Sequence, residues 1–244
     1  MIGNKASKKI SIFIHKLLHK KKNGFNHVVS LGYNCEVAYR FLKYFGFEES
    51  SLFNWSYSYS IDDLINTLKH IDNIGKDGFD LPNPLWKCKN THISFHGKED
   101  IGIYLQKKDT ANIRKKDLLE LKSRLQYLKE KFIRIAQSCD TKLYVYKLHT
   151  SDICDGIEDK LSQLYNVLVK SIKAKNITLL IVYEKQNINI KENKNYILRT
   201  VKYFAPDNDV TGKDYFDNGW NKIFHEFYQN KKIENKKKLY KFDK

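Results

Sequence analysis

Arginine is scarce in this chain. Of 44 basic residues only Arg40, Arg114, Arg124, Arg134 and Arg199 are arginine. Base edges and phosphates are read preferentially by the two-pronged guanidinium. The shortage therefore argues against sequence-specific nucleic-acid binding, even at a net charge of +16. Cysteine is present without pattern: Cys35, Cys88, Cys139 and Cys154 make no Cys-x-x-Cys pair and keep no regular spacing. That excludes a zinc knuckle and a disulfide framework and points to a reducing cytoplasm. No metal-ligand set is visible, and no cofactor is implied. Glycine is missing where nucleotide chemistry would need it. Gly32 stands alone after the first apolar run, with no Gly-Lys-Ser/Thr behind it, which excludes a P-loop, and a dinucleotide fingerprint needs further glycines. No apolar stretch is long enough to span a bilayer, and no small-residue cleavage site follows the short N-terminal one. No internal repeat is visible.

What the chain has is ample apolar material, 41% of residues with 14% aromatic, enough for a buried core. The charge is concentrated at the ends. Residues 1–24 hold seven Lys and no acid, and residues 231–244 hold seven Lys against two acids, leaving the middle almost neutral. The plan this suggests is a single α/β domain over residues 25–230 with a basic tail on each side. In KKISIFIHKLLHKKK, residues 8–22, Ile10, Phe13, Ile14, Leu17 and Leu18 share one helical face with Lys and His opposite. Such a helix either docks on the protein or lies on an anionic membrane surface. The expected location is cytoplasmic, with peripheral contact to the inner membrane as the second option.

Along the domain, Val28 to Leu31 read as a buried strand, and a helical stripe runs from Val37 to Phe45. Asp62 and Asp63 open a second helix, and Pro82 and Pro84 mark a loop. The segments His92–His96 and Ile101–Leu105 read as a hairpin. A long amphipathic helix covers residues 113 to 137. KLYVYKL (142–148), ITLLIVY (177–183) and YILRTVKYF (196–204) then alternate with helical patterns over 157–172 and 219–228, which predicts parallel strands with crossover helices. The expected fold is one three-layer α/β domain built on a mainly parallel sheet.

In such a sheet, sites form beyond the carboxyl ends of the strands. Cys35 follows the first strand at that edge and opens a helix, whose N-terminal amides and dipole favour a thiolate. Asn34 is expected either to cap that helix or to donate to an oxyanion. Cys35 is equally readable as a small packing residue. His149 leaves KLYVYKL at the same edge and is a competing base, with Asp152 near enough in sequence to orient it. Asp209, Asp214 and Asp217 cluster before the last helix with Trp220, where capping accounts for the acids.

SLGYNCEVAYRF, then SLFNWSYSYSIDDLINTL, then SFHGKED, together with weaker likeness through KLYVYKL and ITLLIVY, resemble a bacterial family described as papain-like cysteine peptidases. The resemblance spans roughly residues 27–150. It departs from the family pattern at Asn54, where Asp is usual, and at Gly97, where an acid usually follows the histidine. It implies a thiol-dependent hydrolase or acyltransferase in which Cys35 is the nucleophile and His96 the general base, with His92 as an alternative four residues earlier. Asn54 would orient the imidazole, or else belong to a core turn. The substrate would be a small-molecule, peptide or glycan-linked acyl compound. Two rival readings stand beside it. One is a non-hydrolytic sugar- or nucleotide-handling transferase in which Cys35 only packs. The other is a non-enzymatic module that binds membrane or nucleic acid through its basic tails.

Overall fold

The computed structural model describes residues 25–45, 50–83, 85–97, 110–185, 190–206 and 219–227. The N-terminal helix, both basic tails, the second arm of the expected hairpin at Ile101–Leu105, and Asp209, Asp214 and Asp217 lie outside them. The elements in order are β1 (His27–Ser30), α1 (Glu36–Phe45), β2 (Ser56–Tyr57), α2 (Ile61–Lys69), β3 (Phe79–Asn83), β4 (Leu85–Cys88), β5 (Ser94–His96), α3 (Thr110–Gln137), β6 (Lys142–Lys147), α4 (Ile157–Lys170), β7 (Ile177–Glu184), β8 (Ile197–Val201) and α5 (Trp220–Phe227).

Four strands form a wholly parallel sheet in the order β1-β6-β7-β8. Strands β6 and β7 run down its middle, and their alternate side chains go to opposite faces. Leu143, Val145, Leu180 and Val182 pack with Val37 and Phe41 of α1 and with Trp220, Ile223 and Phe224 of α5. Tyr144, Tyr146, Leu179 and Ile181 pack on the other face with Leu64 and Leu68 of α2, Leu125 and Phe132 of α3, and Leu161 and Leu164 of α4. Each of these buried aliphatic side chains contributes about 1.5–3 kcal/mol. This is why near-continuous apolar runs, and not alternating ones, make these strands.

The expected mainly parallel sheet is present, and a further sheet that the sequence did not announce stands beside it. A second four-stranded sheet, antiparallel and ordered β2-β5-β4-β3, is inserted between β1 and β6. Its strands are two to five residues long, too short to announce themselves by periodicity. The segment around Pro82 and Pro84, expected as a loop, contributes strands β3 and β4. Pro82 is tolerated because β3 is an edge strand, where a missing N–H breaks no rung. The partners of β5 are β2 and β4. Among the described residues no helix is long and apolar enough to cross a membrane.

Candidate active site

The site is built where the inserted sheet meets the carboxyl end of β1. Past the end of that strand the Leu31 N–H still bonds the Val145 carbonyl at 2.9 Å. The chain then reverses through Gly32 (φ 87°) and Tyr33 (φ 68°). A side chain at position 32 would meet the backbone strain of positive φ and sit 3.1 Å from Ser56 Oγ, so glycine is required there. Tyr33 has no such licence, and its left-handed backbone costs roughly 1–2 kcal/mol. Its neighbours hold it. Its carbonyl accepts from the Ser58 N–H at 2.9 Å, its ring stacks on His149 at 4.6 Å between centroids, and Lys147 Nζ lies 5.4 Å from the ring centre. Strain of this kind persists only where the surroundings over-determine it. Its product is the placement of Cys35 at the entry to α1.

Asn34 is a cap: its Oδ1 accepts the Glu36 N–H at 3.0 Å. That N–H is thereby occupied. Next comes a residue that sequence patterns did not mark. Glu36 is fully buried at the start of α1. Its Oε1 accepts from Arg40 Nη2 at 3.1 Å, the Trp220 indole at 3.1 Å and the Ala205 N–H at 3.2 Å. Lys147 Nζ pairs with Oε2 at 3.0 Å. One carboxylate thus ties α1 to β6, to residue 205 and to α5, directly beside Cys35. With Arg40 and Lys147 also buried, the cluster holds two cations to one anion, and a helix N-terminus suits the carboxylate further. The only advance signs were a charged residue ending the otherwise apolar run LYVYK and an acid in the first turn of a helix.

His96 comes from the other sheet, 61 residues along the chain, and its Nε2 stands 3.2 Å from Cys35 Sγ. Its backbone is gripped on both sides. The His96 N–H donates to the Trp55 carbonyl at 3.1 Å, and its carbonyl accepts from Arg124 Nη2 of α3. About two helical turns before Arg124, Asp117 accepts from the Trp86 indole at 2.6 Å. A Cβ placed on Gly97 would collide with that same carboxylate. The glycine after His96 therefore exists to let an acid from α3 lie against the backbone there. Burial pushes the Arg124 guanidinium down from its ordinary value, while Asp117 and Glu120 pull it back up.

The other histidines are placed elsewhere. His92 is not on a strand with His96; it sits at φ 60° in the turn before β5, and is exposed. His149 does emerge at the sheet's carboxyl edge, but it is engaged with the Tyr33 ring and, through Nδ1, with Ser151 Oγ at 2.8 Å. Asp152 does not orient it by a direct bond in that position. Its carboxylate accepts from the Ile61 N–H at 3.2 Å and the Tyr146 hydroxyl at 3.3 Å, pinning α2 to β6. Asn54 is buried in the turn that precedes Trp55, with its own N–H on the Ser51 carbonyl at 3.3 Å. Trp220 serves Glu36 and the core.

No family model, no curated protein and no solved structure matches this chain. What the site can do rests on its own geometry: a thiol and an imidazole in contact, the thiol at a helix N-terminus and the backbone of the histidine held by Arg124 of a long helix.

Proposed function

We propose that the protein is a thiol-dependent hydrolase or acyltransferase, with Cys35 as nucleophile and His96 as general base. The observation that carries this is the 3.2 Å approach of His96 Nε2 to Cys35 Sγ across two separate sheets. A packing cysteine needs no such partner. The resemblance of the SLGYNC and SFH segments to papain-like cysteine peptidases supports the same assignment. The two apolar clusters on opposite faces of the parallel sheet support a three-layer domain as its scaffold.

In this reading the Cys35 thiol passes its proton to His96 Nε2, and the thiolate attacks an acyl carbonyl carbon to form a C–S bond. As the tetrahedral intermediate collapses, the C–O or C–N bond to the leaving group breaks, and that group takes the proton back from His96. A thioester remains on Cys35. Water or an acceptor hydroxyl or amine then attacks it, His96 removes the attacker's proton, and the C–S bond breaks to release the acyl product and restore the thiol. Asn54 and the buried turn behind Trp55 would fix the position of the histidine strand.

Trapping tests this directly. Brief exposure to p-nitrophenyl acetate followed by peptide mass spectrometry is expected to find an acetyl group on Cys35, formed much faster than on Cys88, Cys139 or Cys154. In His96→Ala the rate should fall by about 10²–10⁴. Equal, slow labelling of all four cysteines would favour the transferase reading, in which Cys35 only packs.

A further inference from the structure

The sheet that supplies His96 carries an inverted pattern. In WSYSYS, residues 55–60, Ser56 and Ser58 are 1% exposed, whereas Trp55 and Tyr59 are 40% and 48% exposed. Serines inside and aromatics outside is the opposite of what burial would choose, since a large ring kept from water is worth about 2–3 kcal/mol. The inner half has a local cause. Ser56 packs under the Gly32 turn and donates to the Phe53 carbonyl at 3.1 Å, where nothing larger fits. In the outer half the Tyr59 hydroxyl reaches Ser94 Oγ at 3.4 Å, while much of the Trp55 and Tyr59 side chains stays exposed.

That outer face is also the face of the general base. Ser56 pairs with Phe95, and the His96 N–H reaches the Trp55 carbonyl, so Trp55 stands opposite His96. Opposed residues of antiparallel strands share a face. Beyond them Tyr57 touches Tyr59 at 4.9 Å and Tyr33 at 5.5 Å between centroids. Lys87 Nζ lies 5.1 Å over the Tyr59 ring and pairs with no carboxylate among the described residues. The result is an open strip of rings that begins at the Cys35–His96 pair and is edged with hydroxyls and one ammonium.

We infer that this strip binds the carbohydrate portion of the substrate, so that the acyl group attacked by Cys35 is one carried on a sugar chain. The inference rests on the hydrolase or acyltransferase reading for the word substrate. Sugar rings have apolar C–H faces that lie on aromatic rings and hydroxyl edges that need donors and acceptors beside them, which is the composition found here. A peptide is the poorer fit. Extended peptides bind by adding to a strand edge, and just past the edge strand β2 the Ser58 N–H is already given to the Tyr33 carbonyl. Single-stranded nucleic acid also stacks on rings, but it requires a row of cations along its backbone, and among the described residues this face offers Lys87 alone. Trp55 and Tyr59 are four residues apart, roughly 13 Å if extended, so the ligand is an oligosaccharide longer than a single ring.

The test uses the full-length Cys35→Ala protein, in which binding is read apart from chemistry. Titration calorimetry with chitotetraose, maltotetraose, an acetylated Phe-Leu-rich hexapeptide and a short poly(A) RNA compares the classes. At least one tetrasaccharide is expected to bind, with affinity about tenfold weaker in Tyr59→Ala and in Trp55→Phe. Both substitutions are at exposed rings, so a loss of fold does not stand in for a loss of binding. Preference for the peptide or the RNA, no binding of either saccharide, or saccharide binding indifferent to both substitutions overturns the inference. Acetyl trapping on Cys35 without saccharide binding leaves the reaction class standing and removes this proposal; saccharide binding without trapping does the reverse.

Discussion

The parallel and antiparallel sheets each position one member of the Cys35–His96 pair, and they hold it by different means. Cys35 is anchored by buried charge: Glu36, Arg40 and Lys147 are all in the interior, and four segments converge on one carboxylate. His96 is exposed, and it is held through its backbone by Trp55 and Arg124, with Asp117 pressed on the next residue. The position of Cys35 is therefore as stable as the core itself, while that of His96 depends on one strand and the helix behind it. A mutation on either side should separate folding from reactivity in opposite ways.

The sharpest break is at Glu36. Glu36→Ala strands two buried cations and should cost about 3–5 kcal/mol in urea unfolding. A loss under about 1 kcal/mol would mean that the cluster is held by packing alone. On the other side, Gly97→Ala forces the Asp117 carboxylate off its place and off the Trp86 indole. The expected cost is smaller, about 1–1.5 kcal/mol, but Cys35 alkylation should slow with it. In an Asp117→Ala background the added methyl has nothing to displace, so the same change should then be nearly neutral. A cost that persisted there would separate Gly97 from Asp117.

The smallest effect concerns Asp152, which joins the two regions through α2. Burial holds its carboxyl above the ordinary 3.8, against the lowering effect of the Ile61 N–H, the Tyr146 hydroxyl and His149. Just above pH 3.8 the folded state therefore binds more proton than the unfolded chain, and this residue's contribution falls as pH rises through that window. Asp152→Asn removes the dependence. The stability of the variant relative to wild type should be more favourable at neutral pH than near pH 4, and the reverse slope would contradict the assignment.

The comparison also explains what could be read in advance. Every strand of the parallel sheet was visible, because β6 and β7 are buried on both faces and so appear as unbroken apolar runs. The helices α1, α2 and α3 were visible from their stripes, and α2 from Asp62 and Asp63 beside the Ser60 cap. Of the antiparallel sheet only β5 was, as one arm of an expected hairpin. Its strands are shorter than a period can establish, and Pro82 and Pro84 resembled loop punctuation. WSYSYS concealed its role because its rings face outward. At the site, Cys35 and His96 were each legible from a motif, yet their contact depends on a strand pairing that nothing local encodes. Glu36 and Lys147 were missed because a charged residue beside an apolar run ordinarily marks the surface, and burial in pairs is a tertiary fact. Asp117 was one acid among many on a solvent-backed helix, and only its approach to Gly97 distinguishes it.

The central claim is that Cys35 and His96 act as one titrating unit assembled from two sheets. The direct measurement is the pH dependence of iodoacetamide alkylation at Cys35, read by mass spectrometry in wild type and His96→Ala. An apparent thiol pKa clearly below the free value of about 8.5 is expected, rising towards it when the imidazole is removed. An apparent pKa at or above 8.5 that does not move in His96→Ala would contradict it and leave Cys35 a packing residue.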